Sequence, residues 1–263
     1  MSLFSQNQDR PLADRLRPES IADVVGQDHL TAEEAPIGGM ISYGRLSSHI
    51  LWGPPGCGKT TIARLLAKEV GLFFEAVSAV SSGVAALRDV FAQAAARWET
   101  GKGTLLFVDE IHRFTRAQQD VLLPFVEDGT VVLVGATTEN PSFALNSALL
   151  SRAQVLVLKS LDEGAIGTLL QRAEAIEDKA LPLTEEARDA LIAMADGDGR
   201  YALVMAEALL QSHVKTDLDS DGLAEFVQKR PPLYDKAQDS HFNLISAFHK
   251  SLRGSDCDGA LYW

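Results

Sequence analysis

From His49 to Lys159 the chain alternates short apolar runs with stretches whose apolar residues recur at helical spacing. The runs "HILWG" (49–53), "LFFEAV" (72–77), "TLLFVDE" (104–110), "TVVLVGAT" (130–137) and "QVLVLK" (154–159) each have the length of a strand. Their Val and Leu residues are nearly continuous, which is the pattern of strands buried on both faces. Between them, "KTTIARLLAKEVG" (59–71) and "VAALRDVFAQAAARWE" (84–99) read as helices. In the second, Val84, Leu87, Val90, Phe91 and Ala94 fall at helical spacing. The pattern predicts an α/β fold with a parallel five-stranded sheet covered by helices on both sides.

After Lys159 the strand signals stop. "LDEGAIGTLLQRAEAI", "TEEARDALIAMA", "RYALVMAEALLQSH" and "SDGLAEFVQ" predict four amphipathic helices. Thr184, followed by Glu185 and Glu186, has the makings of an N-cap with an acidic first turn. A Pro-containing connection (229–239) leads to a last helix, "SHFNLISAFHKSLRG" (240–254), stopped by Gly254. "ALYW" (260–263) reads as the opening of a further helix. The expected organisation is an α/β domain over 1–159, a small all-α lid over 160–235, and the start of a cut-short C-terminal helical domain over 236–263.

Composition narrows the class. The 263 residues are 46% hydrophobic and 23% charged, ordinary for one large or two smaller globular domains. No apolar run reaches the roughly 18 residues of a membrane span, and the polar N-terminus has no signal core. A cytoplasmic protein with no membrane partner is expected. Cys57 and Cys257 are too few for a disulfide framework and suit a reducing compartment. The chain carries 24 basic and 36 acidic side chains, a net charge of −12. Residues 1–159 hold 14 and 17 of them, and residues 160–263 hold 10 and 19. An acidic chain is not built to coat DNA non-specifically, because phosphate binding needs clustered Lys and Arg. DNA contact would require a local patch or several subunits lining one surface.

The strongest chemical signal is "GPPGCGKTT" (Gly53–Thr61), which matches G-x-x-x-x-G-K-[ST] between a predicted strand and a predicted helix. Gly53, Pro54, Pro55, Gly56, Cys57 and Gly58 would form a loop whose N–H groups wrap phosphates without a Cβ in the way. The helix N-terminus adds its positive dipole end. Lys59 would reach the β- and γ-phosphates of ATP, with Thr60 on Mg²⁺ and Thr61 beside it. Asp109 ends the third predicted strand, where a P-loop fold places the carboxylate that holds the Mg²⁺ shell. Glu110, next to it, is the candidate general base that polarises an attacking water.

"DEIH" (109–112) also fits a DExH helicase. Such helicases need a second sheet domain with its own arginine motifs, and only one sheet is readable. A P-loop sheet followed by a small helical lid instead resembles the AAA+ ATPases. His112 is then expected as a helix-capping or surface residue. "LRPESIADVVGQDHL" (16–30) resembles the segment that packs on adenine in that family, with Val25 and Gly26 closest to the base. The resemblance implies that Thr138, in "VGATTEN", orients the attacking water. It implies that Arg152, in "SALLSRA", is an arginine finger reaching a neighbouring subunit's site. It implies that Arg200, in "GDGRYAL", folds back onto the phosphates, although the turn departs from the Gly-Asp-Ala-Arg form common in the family. "SAVSSGVAALR" (78–88) suggests Arg88 as a DNA contact, with Arg113 and Arg116 after the Asp-Glu pair; Ser81 or Ser82 could instead simply cap the next helix.

"TTENPSFALNSALLSRA" and "HKSLRGSD" are similar to the Werner-helicase-interacting ATPase family within the AAA+ class, over residues 10–263 and most weakly over 160–230. That resemblance implies a DNA-stimulated Mg-ATPase acting at stalled or gapped forks and at single-strand/double-strand junctions. It also implies single-strand-binding protein as a partner, a nucleoid-associated location, and homotetramers built through a C-terminal domain. "GATT" alone would equally suit a Holliday-junction branch-migration motor, and a clamp-loader subunit is a further alternative. A nucleotide-gated binding module with little turnover is the non-enzymatic reading.

Overall fold

The computed structural model describes residues 10–212, 214 and 216–228. Five strands form one sheet: β1 (His49–Trp52), β2 (Phe73–Ser78), β3 (Thr104–Asp109), β4 (Val131–Thr137) and β5 (Gln154–Val157). All pairings are parallel and the strand order is β2-β3-β4-β1-β5. The register sets Val108 beside Gly135 and Trp52 beside Thr137. The ends of β1, β3 and β4 therefore open onto one edge of the sheet.

Burial explains why these runs are strands. Leu105 and Phe107 face one core with Leu51, Val134 and Leu156, together with Ile62 and Leu66. Leu106 and Val108 face the other with Ile50, Leu133, Leu87 and Phe91. Complete burial of one such side chain contributes about 1.5–3 kcal/mol. The helices lie where the periodicity predicts. Numbering helices of at least four residues, α1 (Leu12–Arg15), α2 (Asp28–Thr31) and α3 (Pro36–Ser42) precede β1. α4 (Lys59–Glu69) follows it, α5 (Val84–Glu99) follows β2, and α6 (Arg116–Glu127) follows β3. α7 (Pro141–Ala144) and α8 (Ser147–Leu150) join β4 to β5.

The lid comprises α9 (Glu163–Glu177), α10 (Glu185–Ala195) and α11 (Gly199–Leu210). Asp162, Thr184 and Asp198 cap them, each accepting a backbone N–H in the first turn. The N-terminal segment straps the lid to the sheet domain. Glu207 accepts the N–H of Leu12, Arg15 pairs with Glu177, and Arg172 donates to the Asp23 carbonyl. The chain through Ser220 forms one compact unit, and a second begins at Asp221. In the latter the description ends within α12 (Ser220–Gln228), which matches the fourth helix read after Lys159. The helix expected at 240–254 and the "ALYW" segment lie outside the described residues.

Ser81 and Ser82 do not cap α5. Gly83 holds the N-cap position and makes no side-chain cap bond.

Candidate nucleotide site

The loop from Gly53 to Gly58 leaves β1 and enters α4. Gly56 and Gly58 have φ of +65° and +101°, a region that β-carbon sterics make costly for other residues. A β-carbon on Gly53 would lie 2.6 Å from the Leu158 carbonyl oxygen. At Gly58 it would meet nothing within 4 Å, so this part of the loop is open. Pro54 is half-buried, Pro55 exposed and Cys57 buried, and burial raises the Cys57 thiol pKa. Lys59, the first residue of α4, is 9% exposed. Its ammonium donates to the carbonyls of Gly53 (2.8 Å) and Pro54 (2.7 Å), which anchors it across the loop. Thr60 and Thr61 follow in the first turn, half-buried.

Asp109 is the last residue of β3 and half-buried. Glu110 adopts left-handed backbone (φ +53°), a conformation that costs a non-glycine residue about 1 kcal/mol or more and recurs at functional sites. The Thr60 hydroxyl and the Asp109 carboxylate are hard oxygen donors, the kind Mg²⁺ takes in small number while keeping several waters. Among the described residues no group of three or more His, Cys, Asp or Glu side chains could form a metal cage. A hydroxyl and a carboxylate are donors that would suit Mg²⁺ if it also took ligands from a bound phosphate.

His112 is not the surface residue expected from sequence. Its side chain is 4% exposed. The short 3-10 turn Ile111–Arg113 folds it back under the Asp-Glu pair, where Nδ1 lies 2.9 Å from the Thr137 hydroxyl. Nε2 lies 3.3 Å from Glu110 and 3.5 Å from Glu139. Thr137 ends β4 completely buried, and Thr138, next in sequence, is half-buried. The enclosed hydroxyl is thus that of Thr137, one residue before the Thr138 expected to orient water, and the apolar run leading into Thr137 is the signal for its burial.

The segment resembling an adenine-packing box lies against the lid. Val25 is half-buried, and Gly26, at φ +73°, would press a β-carbon to 2.8 Å from Leu161 Cδ2. Gln27, which sequence reasoning missed, is fully buried. Its Nε2 donates to the carbonyls of Lys159 (2.8 Å) and Cys57 (3.4 Å), and its Oε1 accepts the Lys159 N–H (3.1 Å). One side chain thus joins the phosphate loop to the strand-to-lid connection. An open hollow of about 410 Å³ lies beside Thr61, lined by Arg17, Pro18, Glu19, Arg64, Leu65 and Lys68.

The remaining candidates are dispersed. Arg200 is exposed in the first turn of α11, two residues after Asp198, which packs on Gly56. Arg152 is exposed and pairs with Glu127 at 2.6 Å. Arg88, Arg113 and Arg116 are exposed on elements that follow β2 and β3, at the same edge of the sheet as the phosphate loop.

A P-loop at the open edge of a β2-β3-β4-β1-β5 sheet, with a helical lid resting on it, defines an AAA-type nucleotide-binding module. The chain carries an AAA domain: residues 49–161 match the "ATPase family associated with various cellular activities (AAA)" and residues 177–253 an "AAA C-terminal domain". It is 46% identical, over 99% of its length, to replication-associated recombination protein A of Escherichia coli K12, and it covers 60% of that relative. It is 37% identical to ATPase WRNIP1 of Dictyostelium discoideum, covering 99% of this chain and 32% of the relative. Among solved structures, the Thermotoga maritima RuvB Holliday junction branch migration motor superposes with a TM-score of 0.64 at 27% identity, covering 81% of this chain and 72% of that one. The chain spans about 60% of the length of the bacterial recombination proteins it matches.

Proposed function

We propose that the chain is the ATPase part of a DNA-dependent Mg-ATP hydrolase that works at stalled or gapped replication forks, in the cytoplasm and at the nucleoid. The observation that carries the chemical half is the convergence of the Lys59 loop, Asp109 and Glu110 at one sheet edge. The similarity to replication-associated recombination proteins carries the biological half.

In this reading Gly53–Gly58 and the α4 N-terminus bind the phosphates, and Lys59 exchanges its two loop carbonyls for phosphate oxygens. Val25 and Gly26 line the base side. Thr60 and Asp109 hold Mg²⁺, which when bound offsets charge on the phosphates. Glu110 takes the proton of the attacking water, with Thr138 orienting that water. Arg200 closes the lid side, and Arg152 reaches a neighbouring copy's site. Arg88, Arg113 and Arg116, each exposed after β2 or β3, are the candidate contacts to DNA that an acidic chain needs. Residues 1–159, 160–235 and 236–263 are the nucleotide domain, the lid and the start of an oligomerisation domain. Single-strand-binding protein and a homotetramer are the partners.

Steady-state ATP hydrolysis, with and without forked DNA at several protein concentrations, tests this, with light-scattering mass on the same samples. Specific activity that rises with DNA and with mass is the expected result. DNA-independent hydrolysis by a proven monomer would overturn both the DNA-dependent reading and the trans arginine.

A further inference from the structure

We infer that His112 is a positioning residue: it couples Thr137, at the end of β4, to the Glu110 carboxylate at the end of β3. The inference rests on the proposed role of Glu110 as general base and adds the group that aims it.

Four observations carry it. His112 is enclosed, with its side chain 4% exposed, although it is next to the exposed Arg113 in a short turn at the open edge of the sheet. Its two ring nitrogens face chemically different partners: a hydroxyl at Nδ1 and two carboxylates at Nε2. Glu110 has left-handed backbone, so its side chain leaves the strand end in a direction that strand geometry alone would not give it. Thr137 is itself pinned, because its Oγ1 accepts the Glu139 N–H at 3.0 Å.

The hydrogen-bond directions follow from these partners. Carboxylates only accept, so the proton of a neutral imidazole belongs on Nε2, where it faces Glu110 and Glu139. Nδ1 is then an acceptor, and the Thr137 hydroxyl donates to it. The Thr137 oxygen keeps its lone pairs for the Glu139 N–H. The Thr137 hydroxyl can also reach the Glu139 carbonyl, but at 3.3 Å against 2.9 Å to Nδ1, so the shorter contact links the β4 end through the imidazole to Glu110. Glu139, 60% exposed, offers Nε2 a second acceptor only slightly farther away. Nε2 of His112 thus lies between two carboxylates, the nearer of them Glu110.

Side-chain isosteres separate this role from simple packing. Glutamine at 112 keeps an N–H donor near the Nε2 position, whereas asparagine keeps only the Nδ1 position. The expected order of kcat is wild type, then His112→Gln, then His112→Asn and His112→Ala together. The last two should fall by about 10- to 100-fold, short of the full general-base contribution, with KM and nucleotide affinity unchanged within about threefold. Equal rates for the Gln and Asn variants, or losses seen in KM alone, would overturn the proposal.

A second readout needs no turnover. In long-range ¹H–¹⁵N spectra of the imidazoles, His112 should show the Nε2–H tautomer, and both Thr137→Val and Glu110→Gln should shift its ring nitrogens. An Nδ1–H tautomer, or resonances indifferent to both substitutions, would refute the coupling. If the wild-type chain binds ATP without hydrolysing it, the proposed function fails in this chain while the spectra still decide the role of His112.

Discussion

Gly56 of the phosphate loop and Asp198 of the lid are packed so closely that a β-carbon on the glycine would overlap the Asp198 carboxylate and come within 3.0 Å of its Cα. The same Asp198 oxygen caps α11 by accepting the N–H groups of Arg200 and Tyr201, at 2.9 Å each. The lid helix that carries Arg200 is therefore seated on the loop that would wrap the phosphates. Gly56→Ala adds left-handed strain of about 1–2 kcal/mol to that overlap. It should weaken ATP binding by about tenfold or more while leaving the secondary structure intact. Titration with a fluorescent ATP analogue, alongside circular dichroism, checks this; undiminished affinity would show that loop and lid yield independently.

Gln27 is the second connection between loop and lid. Replacing it with alanine removes both hydrogen bonds to Lys159 and leaves a buried carbonyl and N–H to find other partners. The expected loss of stability is about 1–3 kcal/mol, read from urea unfolding. If the bond to the Cys57 carbonyl also sets the loop, ATP affinity should drop with it; a variant of native stability would mean that water replaces the amide at little cost.

Much of this arrangement was legible in the residues. The five strands match their apolar runs closely: burial on both faces leaves β1, β3 and β4 little freedom in composition, while the edge strands β2 and β5 keep apolar runs yet expose Phe73, Val155 and Val157; α5 runs over Val84–Glu99 as its periodicity implied. The phosphate loop was legible because glycine spacing and Lys-Thr are local demands. What stayed hidden was long-range. Gln27 looked like an ordinary polar residue, yet its partner Lys159 lies 132 positions away. His112 looked like a capping or surface residue after the Asp-Glu pair, but its enclosed side chain meets Thr137, 25 positions away. No periodicity encodes a contact of that kind.

The division of labour between Lys59 and Glu110 predicts opposite signatures. Lys59→Ala should abolish nucleotide binding, since no other buried cation faces the loop among the described residues. Glu110→Gln should keep binding and lose turnover by about 10²- to 10⁴-fold, so that unhydrolysed ATP stays bound. Equilibrium binding and single-turnover hydrolysis on the two variants separate these outcomes. Normal turnover by Glu110→Gln would remove it from the base position.

Arg152 makes a surface ion pair with Glu127, and both side chains are more than a third exposed. Such a pair contributes at most about 1 kcal/mol to stability, so its structural role is small. Arg152→Ala should spare folding and ATP binding but lower turnover in assemblies by about 10³-fold or more if the guanidinium reaches a neighbouring site. Glu127→Ala removes the ion pair but leaves Arg152 bonded to the Ala148 carbonyl (2.7 Å) and the Ser151 hydroxyl (2.9 Å), and should leave turnover intact. Equal losses in both variants would mean that the ion pair, not the trans contact, is what matters.

Acid should lower the stability of the chain in two steps. His49 is fully buried at the start of β1, and burial lowers its pKa below the ordinary 6.5. The unfolded chain takes up this proton more readily, so the contribution is complete above about pH 6.5 and is lost as pH falls below it. Glu174 accepts two bonds from Arg188, at 2.8 and 2.9 Å, and one from the Leu181 N–H. The Arg188 guanidinium, chiefly through its hydrogen bonds, holds the Glu174 carboxyl below its ordinary 4.5. That contribution is complete above about pH 4.5 and is lost as pH falls through the lowered value. Urea unfolding between pH 8 and pH 3 should therefore show a first decline below 6.5 and a second below 4.5. His49→Gln should flatten only the first and Glu174→Gln only the second. An unchanged slope between pH 7 and pH 5 in His49→Gln would mean that the buried imidazole takes up its proton in the folded state as readily as in the unfolded one.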